Sequence, residues 1–345
     1  MTTRMIRLLR TLLLLVVAGA TQPALAETPP KVIRVSAIGA PGQRIATSYM
    51  GILQAQGLLE KEFARDGVRI QWLVLDGAGP AQNEAIANGL TDFANYGILP
   101  NIIGRGRGLR TRILASYGYS NSYVIARPDL PIRSVRDLKG RTIGVDVGHV
   151  PHLALTRLLA ENGVASGDVR IVAMKTPDAL AALAARRIDA TIGPVNLLSL
   201  VEQRKAQLVF SSKGRKTEAT NIGAFVVADD FARRYPETTK RVAKAYLRAV
   251  HWAAQPANRE RYLAFVARAS NTPLALVRQD NAGEQIRDKA NPLPVLAYRN
   301  RVAAAATFSL EQKLVRKPVD TRGWVDARFI VAAAHELGQL RYWPR

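Results

Sequence analysis

The sequence contains no cysteine. That excludes disulfides and every form of thiol chemistry, and a domain with a large core can be exported without disulfides. Histidine is scarce too, with four residues among 345. No G-x-S-x-G elbow presents a serine nucleophile, and no pair of acids falls in the loops that could face a ligand. The run GRGRG (104–108) lacks the Lys-Ser/Thr of a nucleotide-binding loop and does not open directly from a strand. Zinc-finger spacing, an RNA-binding strand pair and a leucine-zipper basic helix are all missing, so nucleic acid is not an expected partner. Acids are outnumbered, 27 against 49 Lys and Arg, for a net charge of +22. Such an excess can steer an anionic ligand, touch an anionic surface or simply solvate a face.

Long hydrophobic runs are confined to the start of the chain. MTTRMIRLLR carries three Arg and no acid, TLLLLVVAGA is apolar, and TQPALA ends in a small-x-small site at Ala24–Ala26. This is the pattern of a secretory signal peptide cleaved near Ala26, and the apolar run is short for a membrane span. No later segment is long and apolar enough to cross a membrane. The mature chain is therefore expected to be exported, beginning near Glu27.

What is present reads as alternating strands and helices through the first two thirds, followed by helices from 237 on. Strands are expected at 32–38, 68–75, 91–96, within 109–118 and 121–129, at 141–146, 168–175, after Asp189, at 206–210 and from 222. Ser134 is expected to cap a one-turn helix stopped by Gly140. Two stretches share a plan: AQNEAIANGLTDFANYG (81–97) and PDALAALAARRIDATIG (177–193). Each has an Ala-rich helix, an Asp, a short strand and a terminal Gly. Two such units in two lobes place their loops face to face, forming a cleft at the carboxyl ends of the strands.

Four loops fall at that edge: 38–44, 95–101, 146–152 and 192–196. In the first, Pro41 and Gly42 shape the turn and Arg44 offers a fork for a planar anion. In the second, Asn95, Tyr96 and Gly97 form a turn with neutral donors. In the third, Gly148 allows close approach, and His149 precedes a helix whose first amides suit an anion. His152 lies one turn further; with His149 it makes half of a metal site and lacks a third ligand. In the fourth stand Pro194 and Asn196. Ser122, Tyr123, Asn221 and Gly223 lie near the expected crossovers between lobes.

GAGPAQNEAIANGLTDFANYGILP resembles a motif of the periplasmic substrate-binding proteins of sulfonate, taurine and nitrate ABC transporters. GILQAQGLLEKEF, IRSVRDLKGRTIGVDVG and ENGVASGDVRIVAMKTPDALAALAARRIDA extend the resemblance, in order, over most of 35–210. The resemblance implies a type II periplasmic binding fold. Its two mixed sheets are flanked by helices and joined by a two-crossover hinge, with extra C-terminal helices. It implies lobe 1 from 31–117 and 221–345, and lobe 2 from 118–220. It further implies a monomer with no cofactor and no catalysis, which binds a small anionic organic solute for a permease and its ATPase. The anionic head is expected against the helix after 147–152, with further contacts from 39–44 and 95–99. Where such relatives often read AWxxWDP, this chain reads DATIGPVN (189–196), which points to a different tail pocket. A pyrimidine or aromatic ligand, a ligand sensor and an exported enzyme on the same fold are the alternatives. The cysteine-dependent desulfinase of the group is excluded by composition.

Overall fold

A computed structural model describes residues 27–76 and 78–344. The signal segment expected at 1–26 lies outside the described residues. The strands are β1 (Val32–Ile38), β2 (Arg69–Leu75), β3 (Phe93–Gly97), β4 (Thr111–Ser120), β5 (Tyr123–Ala126), β6 (Thr142–Val145), β7 (Arg170–Ala173), β8 (Ala190–Gly193), β9 (Gln207–Ser211) and β10 (Asn221–Ala228). They form two five-stranded sheets, β2-β1-β3-β10-β4 and β7-β6-β8-β5-β9. In the first, β1 lies parallel to β2 and β3, and β10 runs antiparallel to β3 and β4. In the second, β6 lies parallel to β7 and β8, and β5 runs antiparallel to β8 and β9. Each sheet thus holds one antiparallel strand in its fourth place, β10 returning to the first sheet after both passages between the sheets and β5 opening the second.

The repeat seen in the sequence is a repeat of hydrogen bonds. The helix Ala78–Ala87 ends at Gly89 and the helix Thr176–Ala184 at Arg186, both in the left-handed region with φ of 64° and 59°. The next amides, Leu90 and Arg187, return to the carbonyls of Ala85 and Ala182, each at 2.8 Å. That is the Schellman closure, which satisfies carbonyls the helix leaves unpaired. Asp92 then accepts from the Arg34 amide at 2.8 Å, and Asp189 from the Thr142 amide at 2.9 Å. In this register Asn95 corresponds to Ile192 and Tyr96 to Gly193, so the terminal glycines of the two stretches are offset by one residue.

The chain passes between sheets at Asn121–Ser122 and again over 212–220. The first passage lies beyond 117, because β10 keeps pairing with β4 through Ile222–Tyr119 and Asn221–Ser120. Ser122 ties the passages together. Its Oγ donates to the Ala219 carbonyl at 2.8 Å and accepts from Asn221 Nδ2 at 3.0 Å.

The C-terminal helices cover one face of the first sheet. Pro236–Ala254 buries Val242, Ala243, Tyr246, Leu247 and Val250 against Phe93 and Phe225, beside the helix Arg328–Glu336. One expectation changes. Residues 95–101 are not a loop: β3 runs to Gly97, and a helix spans Ile98–Gly106. Pro100 is tolerated because it sits in the first turn, where its missing N–H would have no partner. Its glycines hid the helix in the sequence. The GRGRG run is the end of this helix and the turn after it.

Candidate functional site

The strands of both sheets end at a shared edge, and there the two halves touch. The helix Val150–Glu161, which follows β6, meets Gly97 at the end of β3. A Cβ on Gly97 would lie 2.2 Å from Val150 Cγ1, so only glycine permits this approach. Beside it lies a cavity of about 280 Å³. Its wall carries Tyr49, Tyr96, Tyr117, Tyr119 and Tyr262, half of the ten tyrosines in the chain, in a protein with 6% aromatic residues. Ser48, Asn95, Asn221 and Val150 complete much of the rest.

The tyrosines pack on one another before they face the cavity. Tyr49 and Tyr262 stack with centroids 5.6 Å apart and planes within 4°, and Tyr117 meets Tyr49 edge-on at 5.5 Å. Burial raises the hydroxyl pKa of Tyr49, Tyr96 and Tyr117 well above the ordinary tyrosine value, and that of Tyr262 to about 12. All remain protonated at neutral pH and can donate hydrogen bonds. The Ser48 and Tyr262 oxygens are 3.1 Å apart. One hydroxyl donates to the other, which leaves the acceptor's own proton for a ligand. Ser48 holds a φ of 54°, unusual for a residue with a side chain, and such conformations cluster at ligand sites.

The charged groups at the wall are Asp280 and Lys289, and they are already engaged. Lys289, 6% exposed, places Nζ 3.1 Å from Asp280, 2.9 Å from Glu284 and 3.3 Å from Asn281 Oδ1. Asp280 also accepts from Tyr123 OH at 2.8 Å and from Asn121 Nδ2 at 3.0 Å. Two carboxylates surround one ammonium. An incoming anion therefore meets no free cation here and must rely on neutral donors.

Of the twelve residues expected at the site, Asn95, Tyr96, Gly97 and Asn221 come together on this wall. The other eight do not line it. Pro41, Gly42 and Arg44 are exposed on the loop before Ser48, and the Arg44 carbonyl accepts from Gln54. Gly148, His149 and His152 lie just behind Val150. The Gly148 amide donates to His152 Nδ1 at 3.3 Å, and His149 Nε2 is 3.5 Å from Asp146. Burial lowers the pKa of both imidazoles, opposed at His149 by Asp146. Pro194 is exposed, and Asn196 sits in the short turn after β8.

Sequence reasoning missed Ser48, Tyr49, Tyr117, Tyr262, Asp280 and Lys289. The alternation SYGYS (116–120) at the end of β4 was the available signal for Tyr117 and Tyr119. Tyr262, Asp280 and Lys289 lie in C-terminal helices, where periodicity marks burial and nothing more.

A family model described as NMT1/THI5 like matches residues 63–259, more than half of the chain. The chain belongs to that family. Within it, a taurine-binding periplasmic protein of Escherichia coli (strain K12) is 27% identical over 233 residues, 64% of this chain and 69% of the relative. A second protein of that strain, whose name assigns it aliphatic sulfonates, is 24% identical over 330 residues, 91% of this chain and 96% of the relative. Among solved structures, the sulfonate-binding protein SsuA from Methylobacillus flagellatus KT superposes with a TM-score of 0.80 at 26% identity. That match covers 92% of this chain and 98% of SsuA. The two mixed sheets with flanking helices are thus the type II arrangement of NMT1/THI5-like binding proteins, whose named relatives here bind solutes in the periplasm.

Proposed function

We propose that this protein is the solute-binding component of an ABC importer. It closes its two lobes around a small organic anion in the periplasm, as a monomer, and presents it to an inner-membrane permease driven by a separate ATPase. The observation that carries this reading is the cavity at the joint carboxyl edge of the two sheets, walled by hydroxyls and aromatic rings. Among its described lining residues there is no histidine, and the one carboxylate is tied to Lys289. That is a wall for holding and releasing, not for proton transfer.

Closure is favoured when a ligand interacts better with the closed than with the open arrangement. Val150 against Gly97 is the contact across which such a difference acts. Anionic solutes fit the relatives' taurine and sulfonates, and a sulfonate can be held by neutral donors such as the spare Ser48–Tyr262 proton. The pattern of residues 1–26 and the relatives' location support export.

The test is a thermal-denaturation screen of the chain from Glu27 on against sulfonates, aliphatic and aromatic carboxylates, nitrate, phosphonates and pyrimidines. A ligand at about 100 times its Kd stabilises by about 2.7 kcal/mol through mass action. An organic anion that raises the midpoint and is recovered unchanged is the expected hit. A hit converted to product would replace the transport reading with an enzymatic one.

A further inference from the structure

The second lobe holds a side chain that its own half of the sequence does not supply. Leu276 is fully buried, in the apolar cluster of Tyr123, Ile125, Leu183, Leu197 and Leu198. It is the one described member of that cluster from outside residues 123–206. Its neighbour Val277 is buried in the core of the first sheet instead. Successive residues of one helix, Leu274–Asn281, are thus anchored in opposite lobes. The chain on either side belongs to the first lobe: Tyr262 and Leu263 precede the helix in that core, and Ile286 and Ala290 follow it there. Asn271 and Gly283 turn the chain at the two ends, both in the left-handed region with φ of 50° and 76°.

Polar contacts repeat this arrangement. Asp280 Oδ1 accepts from Tyr123 OH at 2.8 Å and from Asn121 Nδ2 at 3.0 Å. Its Oδ2 accepts from Lys289 Nζ at 3.1 Å. The first two donors stand in the second sheet and on the passage leading to it, the third in the first lobe. Lys213 Nζ, on the second passage, donates to the Gln279 carbonyl. The helix is therefore a third bridge between the lobes. It differs in kind from the two passages, which are covalent and persist in any arrangement. Packing and hydrogen bonds alone fasten it to the second lobe, and such contacts can part. Asp280, Asn281 and Lys289 also line the same cavity as Gly97 and Val150, which touch across the cleft. The bridge and the cleft contact are made together.

We propose that the helix Leu274–Asn281 is a strap that holds the lobes closed before any solute binds. Leu276 is its anchor and Asp280 its polar clasp. Opening the cleft draws Leu276 out of the second lobe's cluster and parts Asp280 from Tyr123. A strap of this kind raises the apparent affinity of whatever binds between the lobes, because less of the interaction with the ligand goes into closure.

The chain has no cysteine, so two introduced cysteines carry spin labels without a competing thiol. Asp76→Cys and Lys175→Cys suit this purpose: both positions are exposed, after β2 and β7 at the carboxyl edges of the two sheets. Pulsed dipolar spectroscopy of the labelled, ligand-free chain from Glu27 on should give one dominant, short distance. Leu276→Ala should add a longer distance, with an open population about ten-fold or more above the native one. Tyr123→Phe removes only the clasp hydroxyl and should raise the same population about three-fold. Leu183→Ala is the control. It opens a cavity in the same cluster from within the second lobe, so it should lower the melting midpoint as Leu276→Ala does and leave the distance at its native value.

A native chain whose main distance is the longer one overturns the proposal, as does a Leu276→Ala distribution equal to the native one. Equal lengthening in Leu183→Ala overturns it too, since opening would then follow from a weakened lobe. Should Leu276→Ala fail to fold, Tyr123→Phe decides, and a native distribution there counts against the strap. All of these distances are read without ligand, so the strap stands or falls apart from the solute-binding reading.

Discussion

The two sheets share strand order, a Schellman closure and an Asp that caps the neighbouring strand, yet they differ completely at the cavity. The first half and its C-terminal helices supply nearly all of the wall, while Val150 is the one described lining residue from the second. Position by position, Asn95 and Tyr96 in the first half correspond to Ile192 and Gly193 in the second. What the repeat conserves is backbone geometry, and what it leaves free is the last turn of each strand. On the proposed reading, ligand specificity would therefore rest in one lobe, with the other as a cover.

Exchanging the differing residues should break the comparison most severely. Ile192→Asn puts an unpaired amide into an apolar cluster and should cost about 4 kcal/mol in urea unfolding, whereas Asn95→Ile should stay within about 1 kcal/mol of the native chain. Next come the shared aspartates. Asp92 accepts from the Arg34 amide and from its guanidinium Nε at 3.1 Å and Nη2 at 2.9 Å, while Arg127 stands 3.7 Å from Asp189. Arg34 is 41% exposed, so screening discounts the charge and the hydrogen bonds dominate. Asp92→Ala should cost about 2 kcal/mol and Asp189→Ala about 1 kcal/mol by the same measurement. Smaller again, Arg186→Gly should stabilise and Gly89→Ala destabilise by about 1 kcal/mol each, because only glycine is at ease at that φ. An Arg186→Gly variant no more stable than the native chain would show that Arg186 has a compensating contact.

The smallest effect concerns acid. The loop after β6 and the helix it opens carry His149 and His152, whereas the matching loop after β1 has no histidine. Burial lowers both pKa values in the fold, so below the ordinary histidine value of about 6.5 the unfolded chain binds more protons than the folded one. Their contribution is complete above about pH 6.5 and is lost as pH falls through the lowered folded values. His251 adds the same sign from the first half. Urea midpoints at pH 7.5 and 5.0 should converge in His152→Gln relative to the native chain; an unchanged gap would move the effect elsewhere.

The scaffold was readable because its signals are local. Ser134 caps its short helix as expected, in a capping box completed by Asp137, and proline falls in the first turn of the helix at Thr176–Ala184. Alternation marked β1. The pairing of two lobes followed from one repeated stretch. The site was less legible because its wall is assembled across long separations: Ser48 meets Tyr262, and Lys289 approaches the ring of Tyr119. Charge and glycine drew attention to Arg44 and Gly148, but an exposed arginine and a helix start behind a valine do not reach the cavity. Tyrosine in a buried helix looks like any other core residue until the fold leaves a gap beside it.

β10 sits in the middle of the first sheet, between β3 and β4, although it is the last strand to be synthesised. The first four strands leave the ribosome unable to close their sheet until residues 221–228 follow. At about 5–20 residues per second, that wait lasts roughly 5–20 s. The second sheet has no such wait, since all five of its strands are consecutive. A chain that must be threaded across a membrane before it folds would draw an advantage from the delay, because its first lobe cannot lock prematurely. Nascent chains stalled after residue 220 and after residue 260 should differ sharply in protease resistance over 32–120, and equal resistance would rule the delay out.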